Sequence, residues 1–312
     1  MISMRHHLVS LAAVFLALAV GIVLGSTSLS DRLLSHVGSE RDSLSHQVGE
    51  LSAERTALQA RLDGALRFSA ATAPMAVRGQ LADRGVVLVS SWDVPQQERD
   101  GARRMIEAAG GRVTGDMQLT EAVAAPDRAD QLSRVVTRLL PAGVQLPTAT
   151  DLGTLTGGLL GPLTMLDQAT GQPQVSPEER SAALGGLSEG GFATASGEVQ
   201  PAPLALVLTG GAERGDDAGS RASVVARLAT QLDRSGSGAV LAGRSGSAAG
   251  AGAVGVARAD SSTAAALSTV DDVETPQGRA AAVLALREQL DHRAGHYGVA
   301  GTAQGVVPGA RD

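Results

Sequence analysis

The chain has no cysteine, which excludes disulfides, thiolate metal sites and cysteine nucleophiles together. Aromatic residues are almost as scarce. Phe15, Phe68, Phe192, Trp92 and Tyr297 are the whole set, too few for the aromatic girdles at both interfaces of a transmembrane β-barrel. Basic residues are outnumbered, 26 Lys and Arg against 32 Asp and Glu, for a net charge of -6. No basic run interrupts that balance, so a nucleic-acid partner is not expected. Motifs of nucleotide and acyl chemistry are missing as well. Gly210 and Gly211 follow the apolar run LALVL, but neither a G-x-G-x-x-G nor a P-loop pattern accompanies them. Ser245 in GRSGS lacks the G-x-S-x-G spacing of a nucleophile elbow. A catalytic site and a resident cofactor are therefore not expected, and the chain reads as a non-enzyme.

What is present is long and apolar enough to build a core: 312 residues, 43% of them hydrophobic. Residues 8–24 contain one polar side chain, Ser10, and reach the lower length limit for crossing a hydrocarbon layer of about 30 Å. Ala17 and Ala19 form an A-x-A pattern of the kind a signal peptidase cleaves. The apolar run outlasts that pattern through Val20, Ile22, Val23 and Leu24, so a retained anchor over residues 8–26 is expected rather than a cleaved signal. Ala13, Ala17, Gly21 and Gly25 fall four apart and give one helix face small enough for a second helix to approach. Arg5 before the segment and Asp31, Glu40 and Asp42 after it favour a cytoplasmic tail over residues 1–7 and export of the remainder.

Beyond the anchor, residues 30–68 contain no proline and repeat by sevens. Val37, Leu44, Leu51, Leu58 and Ala65 occupy one heptad position, d; Leu34, Arg41, Val48, Arg55 and Leu62 occupy a. The pattern predicts a coiled-coil interface of Leu34, Val37, Leu44, Val48, Leu51, Leu58, Leu62 and Ala65, with the two arginines setting register or partner choice. The partner is a second copy or another envelope protein. The competing reading is an amphipathic helix lying on its own domain, since Gly38, Gly49 and Gly64 each lower helix stability by about 1 kcal/mol.

Residues 69–79, with Pro74, read as a hinge, and residues 80–300 as an α/β domain with a largely parallel sheet. Its predicted strands are 86–90, 112–119, 204–208 and 239–241, with 254–257 as a further candidate. Its predicted helices are 95–109, 126–140, 178–187, 220–233 and 277–290, the last with Thr275 as N-cap and Pro276 in its first turn. Residues 142–177 carry little signal, and 301–312 read as a disordered tail. Asp271, Asp272 and Glu274 read as a solvated helix start favoured by the helix dipole. His292 and His296 are the one i, i+4 histidine pair of this domain and a weak candidate for a metal site, given Gly295 between them and Gly298 after them.

Two segments carry a resemblance. The opening MISMRHHLVSLAAVFLALAVGIVLGS and the late LSTVDDVETPQGRAAAVLALREQLDHRAGHYG resemble the mycobacterial copper transport protein family, MctB, over nearly the whole chain. The resemblance implies an actinobacterial envelope protein with a role in copper efflux or homeostasis, conventionally assigned to the outer membrane, and kinship with envelope proteins of cell separation. It implies copper as an ion handled and identifies no functional residue. The residues fit a copper-conducting barrel poorly: a barrel needs at least eight strands of about ten residues. The six methionines (Met1, Met4, Met75, Met105, Met117, Met165) form no thioether cluster of the kind copper(I) favours. The expectation is a single-pass plasma-membrane protein acting outside the membrane as a partner-binding scaffold. The alternatives are a pore-forming copper channel and a secreted α/β enzyme.

Overall fold

The computed structural model describes residues 4–149 and 151–309, without the side chains of residues 26–40 and 42. The chain divides into two compact units, Met1–Ala65 and Leu66–Asp312. The described residues of the first unit form a single α-helix, part of α1 (Met4–Ala76). It contains no proline before Pro74, and its helix formers Ala, Leu, Glu, Gln and Arg outweigh the scattered glycines.

The second unit is built on a seven-stranded sheet. In chain order the strands are β1 (Gly85–Ser90), β2 (Arg112–Leu119), β3 (Ala193–Ala195), β4 (Leu204–Thr209), β5 (Gly238–Gly243), β6 (Ser268–Val270) and β7 (His296–Tyr297). Their spatial order is β3-β2-β1-β4-β5-β6-β7. Every pairing is parallel except β2 with β3, which is antiparallel. The sheet is thus the mixed, mostly parallel α/β type that the alternating apolar runs predict. GVVLVS and LALVLT are buried along their whole length, as strands covered on both faces must be.

Alternate residues of those strands feed two cores. Val87, Val89, Ala205, Val207 and Leu241 pack against α3 (Ala129–Leu139), α4 (Leu152–Thr164), α5 (Pro177–Glu189), α6 (Ala218–Ser235) and α7 (Ala253–Ala259). Val86, Leu88, Leu206 and Val240 pack against α2 (Gln96–Ala108), α9 (Pro276–Gln289) and the end of α1. A sixth short helix of this region, α8 (Ser261–Ala266), precedes β6. The result is three layers, helix–sheet–helix, following from the two-residue period of a strand.

Several local features agree with the sequence. Thr275 caps α9 by accepting from the Gly278 amide at 3.0 Å, with Pro276 in the first turn. The expected helix over 178–187 is α5, and a reciprocal capping box of Ser176 and Glu179, which was not among the sequence expectations, opens it.

Others differ. Residues 254–257 lie in helix α7, not in a strand; a short apolar run does not distinguish the two, and here the stretch packs beside α6 with Ala253, Val254 and Ala257 buried. The weakly patterned 142–177 contains α4, LGTLTGGLLGPLT. Its glycines are a packing device. A Cβ on Gly153 would sit 2.4 Å from the Val224 carbonyl and one on Gly157 2.6 Å from the Gln231 Cβ, so α4 and α6 touch backbone to backbone. Residues 69–76, read as a hinge, remain helical through Pro74, and Ala73 and Val77 are buried in the second core. Residues 301–309, read as disordered, hold definite contacts: Gly305 bridges to Tyr297, the Gln304 amide donates to the His296 carbonyl at 2.7 Å, and Val307 packs on the core.

Candidate functional site

In open parallel sheets ligands bind outside the carboxyl ends of strands, where the strand order reverses. Here the reversal lies between β1 and β4. At the end of β1 the Ser91 hydroxyl bonds the Asp93 carboxylate, which in turn accepts from the Gly210 amide beyond β4 at 3.2 Å. A Cβ on Gly210 would collide with that carboxylate, so the backbone beyond β4 closes directly onto Asp93. The surrounding charge is mostly negative and internally matched. Glu98 pairs with Arg244 at 3.0 Å, and Glu213 with Arg221 at 3.0 Å. Burial raises the pKa of both glutamates, opposed in each case by its arginine. Ser245 donates from its amide at 3.1 Å and from its hydroxyl to Glu274. The carboxylates at this end of the sheet are thus held by arginines and backbone amides of the chain itself.

Asp271 and Asp272 of the acidic run before α9 are buried, not solvated as their sequence implied, while Glu274 is half-buried. Asp271 forms an ion pair with Arg258 of α7 at 2.8 Å, with both side chains enclosed. Its other oxygen accepts from the amides of Val299 and Ala300 at 2.8 and 3.1 Å. Arg258 also reaches Thr269, Thr302 and the Tyr297 carbonyl. The GHYG segment is thereby explained. Gly298 has φ 128°, and a Cβ there would strike Asp271 at 2.3 Å, so only glycine lets the chain close over that carboxylate. Asp272 is buried, and its pKa rises to about 6 because burial penalises the charged form, offset in part by the Thr275 hydroxyl.

The histidine pair is divided by this arrangement. His292 is exposed at the turn after α9, with φ 54°. His296 is buried in β7, its Nδ1 2.9 Å from the Thr269 hydroxyl. Burial, then the nearby Arg258, lower its pKa, which keeps the ring neutral. Among the described residues no three His, Asp or Glu side chains converge as a metal-holding group.

On α1 the sequence-predicted positions form two uncovered faces. Residues 4–25 are the one described helix segment long and apolar enough to cross a membrane, with mean hydropathy 2.7 and none of it buried. Along it Ala13, Ala17, Gly21 and Gly25 are exposed, and a Cβ on either glycine would meet nothing within 4 Å. Further along, Leu44, Val48, Leu51, Leu58 and Leu62 lie exposed, Leu51 at 64%, and Ala65 is exposed beside them. Leu51, Leu58 and Leu62 border one shallow groove. Leu34 and Val37 fall where side chains are outside the described residues. The charged cluster around Asp93 and the Arg258–Asp271 network escaped the sequence, because key partners such as Asp93 and Gly210, or Asp271 and Val299, lie 117 and 28 residues apart.

These features define an α/β protein with an open, doubly wound sheet of order β3-β2-β1-β4-β5-β6-β7, in a chain that also carries an apolar helix of membrane-spanning length. The chain belongs to the MctB family: the model described as copper transport outer membrane protein, MctB, matches residues 1–308. It is 40% identical over 311 residues to the copper transporter MctB of Mycobacterium tuberculosis and to that of Mycobacterium bovis, and 39% identical over 314 residues to that of Mycobacterium leprae. In each case the match covers 98% of both chains.

Proposed function

We propose that this chain takes part in copper handling as a single-pass membrane protein that works by assembly outside the plasma membrane rather than by conducting the ion. The copper assignment rests on the family, whose curated members matched here are named copper transporters over their whole length. The mode of action rests on one observation, the row of exposed apolar side chains from Leu44 to Leu62 on α1. Water-facing leucines at a heptad spacing are stable only when another helix covers them. Each leucine buried in such a seam contributes about 1.5–3 kcal/mol.

The charged a positions fit the same reading. Glu54 directly precedes Arg55, and among the described residues neither joins an ion pair. In a parallel, in-register pair a g residue flanks the a residue that follows it on the opposite helix, which sets Arg55 beside Glu54 of the partner subunit. Two chains anchored by the same amino-terminal helix are parallel by construction. The assembly then presents two α/β units to wall or envelope partners, the arrangement expected of a scaffold in copper homeostasis or cell separation.

The open sheet, with edges at β3 and β7 and helices on both faces, supports this reading over a pore, because it offers no band of lipid-facing side chains. Full-length protein reconstituted into liposomes with a copper-sensitive dye inside tests it. The expected copper influx equals that of protein-free vesicles; protein-dependent flux from a correctly inserted chain assigns the channel instead.

A further inference from the structure

Arg180, in the first half of α5, is 4% exposed, and among the described residues its side chain makes no hydrogen bond or ion pair. Arg258 and Arg99, with side chains 4% and 14% exposed, are by contrast matched, by Asp271 at 2.8 Å and by Asp116 at 3.5 Å. An uncompensated guanidinium inside a protein is costly, because it keeps its charge and loses its water. Arg180 helps to line a cavity of about 380 Å³. That cavity lies between α5 and the segment after edge strand β3, and its size is that of a small-ligand site. Pro177, Leu184 and Val199 give it apolar walls, and Ser181 and Ser188 add hydroxyls.

We propose that this cavity binds a small carboxylate, such as the free C-terminus of a short peptide, through Arg180. The planar fork of a guanidinium matches a carboxylate in two parallel hydrogen bonds, and the serine hydroxyls stand ready for the remaining lone pairs. Glu198, which also lines the cavity and is bonded to Gln200 rather than to Arg180, decides between anions. Its negative charge disfavours a phosphate dianion more than a carboxylate monoanion. The apolar walls suit a short aliphatic chain next to the charge.

The test is isothermal titration of the full-length chain in detergent micelles with N-acetyl-alanyl-alanine, its C-terminal amide, and inorganic phosphate. The acid is expected to bind, with the amide and phosphate at least about tenfold weaker. Arg180→Lys keeps the charge but loses the fork and should weaken the acid by about tenfold; Glu198→Gln should tighten it. Arg180→Met should abolish binding and raise Tm, since it removes an unmatched buried charge; a lowered Tm assigns Arg180 a structural role and overturns the proposal. Equal binding of acid and amide, no binding of either, or preference for phosphate also overturns it. None of these outcomes depends on whether α1 self-associates.

Discussion

Arg258 Nη1 and Asp271 Oδ2 lie 2.8 Å apart with side chains 4% and 1% exposed, and together they fasten the carboxyl-terminal segment onto β6 and β7. Removing one partner leaves the other charged and enclosed. Asp271→Ala is therefore expected to cost about 3–5 kcal/mol in urea unfolding, whereas the double replacement Arg258→Met with Asp271→Leu costs markedly less. Asp271→Ala should also expose residues 299–307 to protease. A single-mutant loss below about 1 kcal/mol would show the pair to be dispensable.

The α4–α6 contact predicts opposite effects for two helical Gly→Ala changes. In Gly157→Ala the new methyl meets Gln231 at 2.6 Å, and the strain should destabilise by about 1–3 kcal/mol. At Gly219 of α6 nothing lies within 4 Å, so Gly219→Ala should be neutral or stabilising by up to about 1 kcal/mol. Thermal unfolding of both variants decides the point; equal shifts would contradict the close approach of the two helices.

Asp272 ties stability to pH. Burial raises its folded pKa to about 6 from an ordinary 3.8, so the folded chain holds this proton more tightly than the unfolded one. Its favourable contribution is thus present below about 3.8 and is lost as pH rises through about 6. Asp272→Asn, whose amide oxygen still accepts from Thr275, should be more stable than wild type at pH 8 by on the order of 1–3 kcal/mol. That advantage should shrink as pH falls toward 4. An advantage that stays constant or grows on acidification would rule out a buried carboxylate with a raised pKa.

How much was legible in the sequence depended on the reach of each signal. VVLVS and LALVL declare themselves because strands buried on both faces have uninterrupted apolar runs. The helix of α1 is legible for a similar reason, since the apolar run and the proline-free stretch that follows it are local signals. α4 escaped because its glycines and Pro162 lower helix propensity, and the compensation comes from backbone contact with α6, about 70 residues away along the chain. β6 and β7, at three and two residues, are too short to show a period. The acidic run before α9 was misread as solvated because nothing local announces that Arg258 and residues 299–300 will close over Asp271.

Sedimentation velocity of the full-length chain in detergent, wild type against Leu51→Asp, tests the central claim most directly. A heptad seam through Leu44, Leu51 and Leu58 predicts a dimer for wild type. A carboxylate in the middle of that seam should weaken association by at least about tenfold, because burying it outweighs what the flanking leucines contribute. A wild type that stays monomeric at high concentration, or a Leu51→Asp variant that dimerises as well as wild type, would contradict assembly through this face.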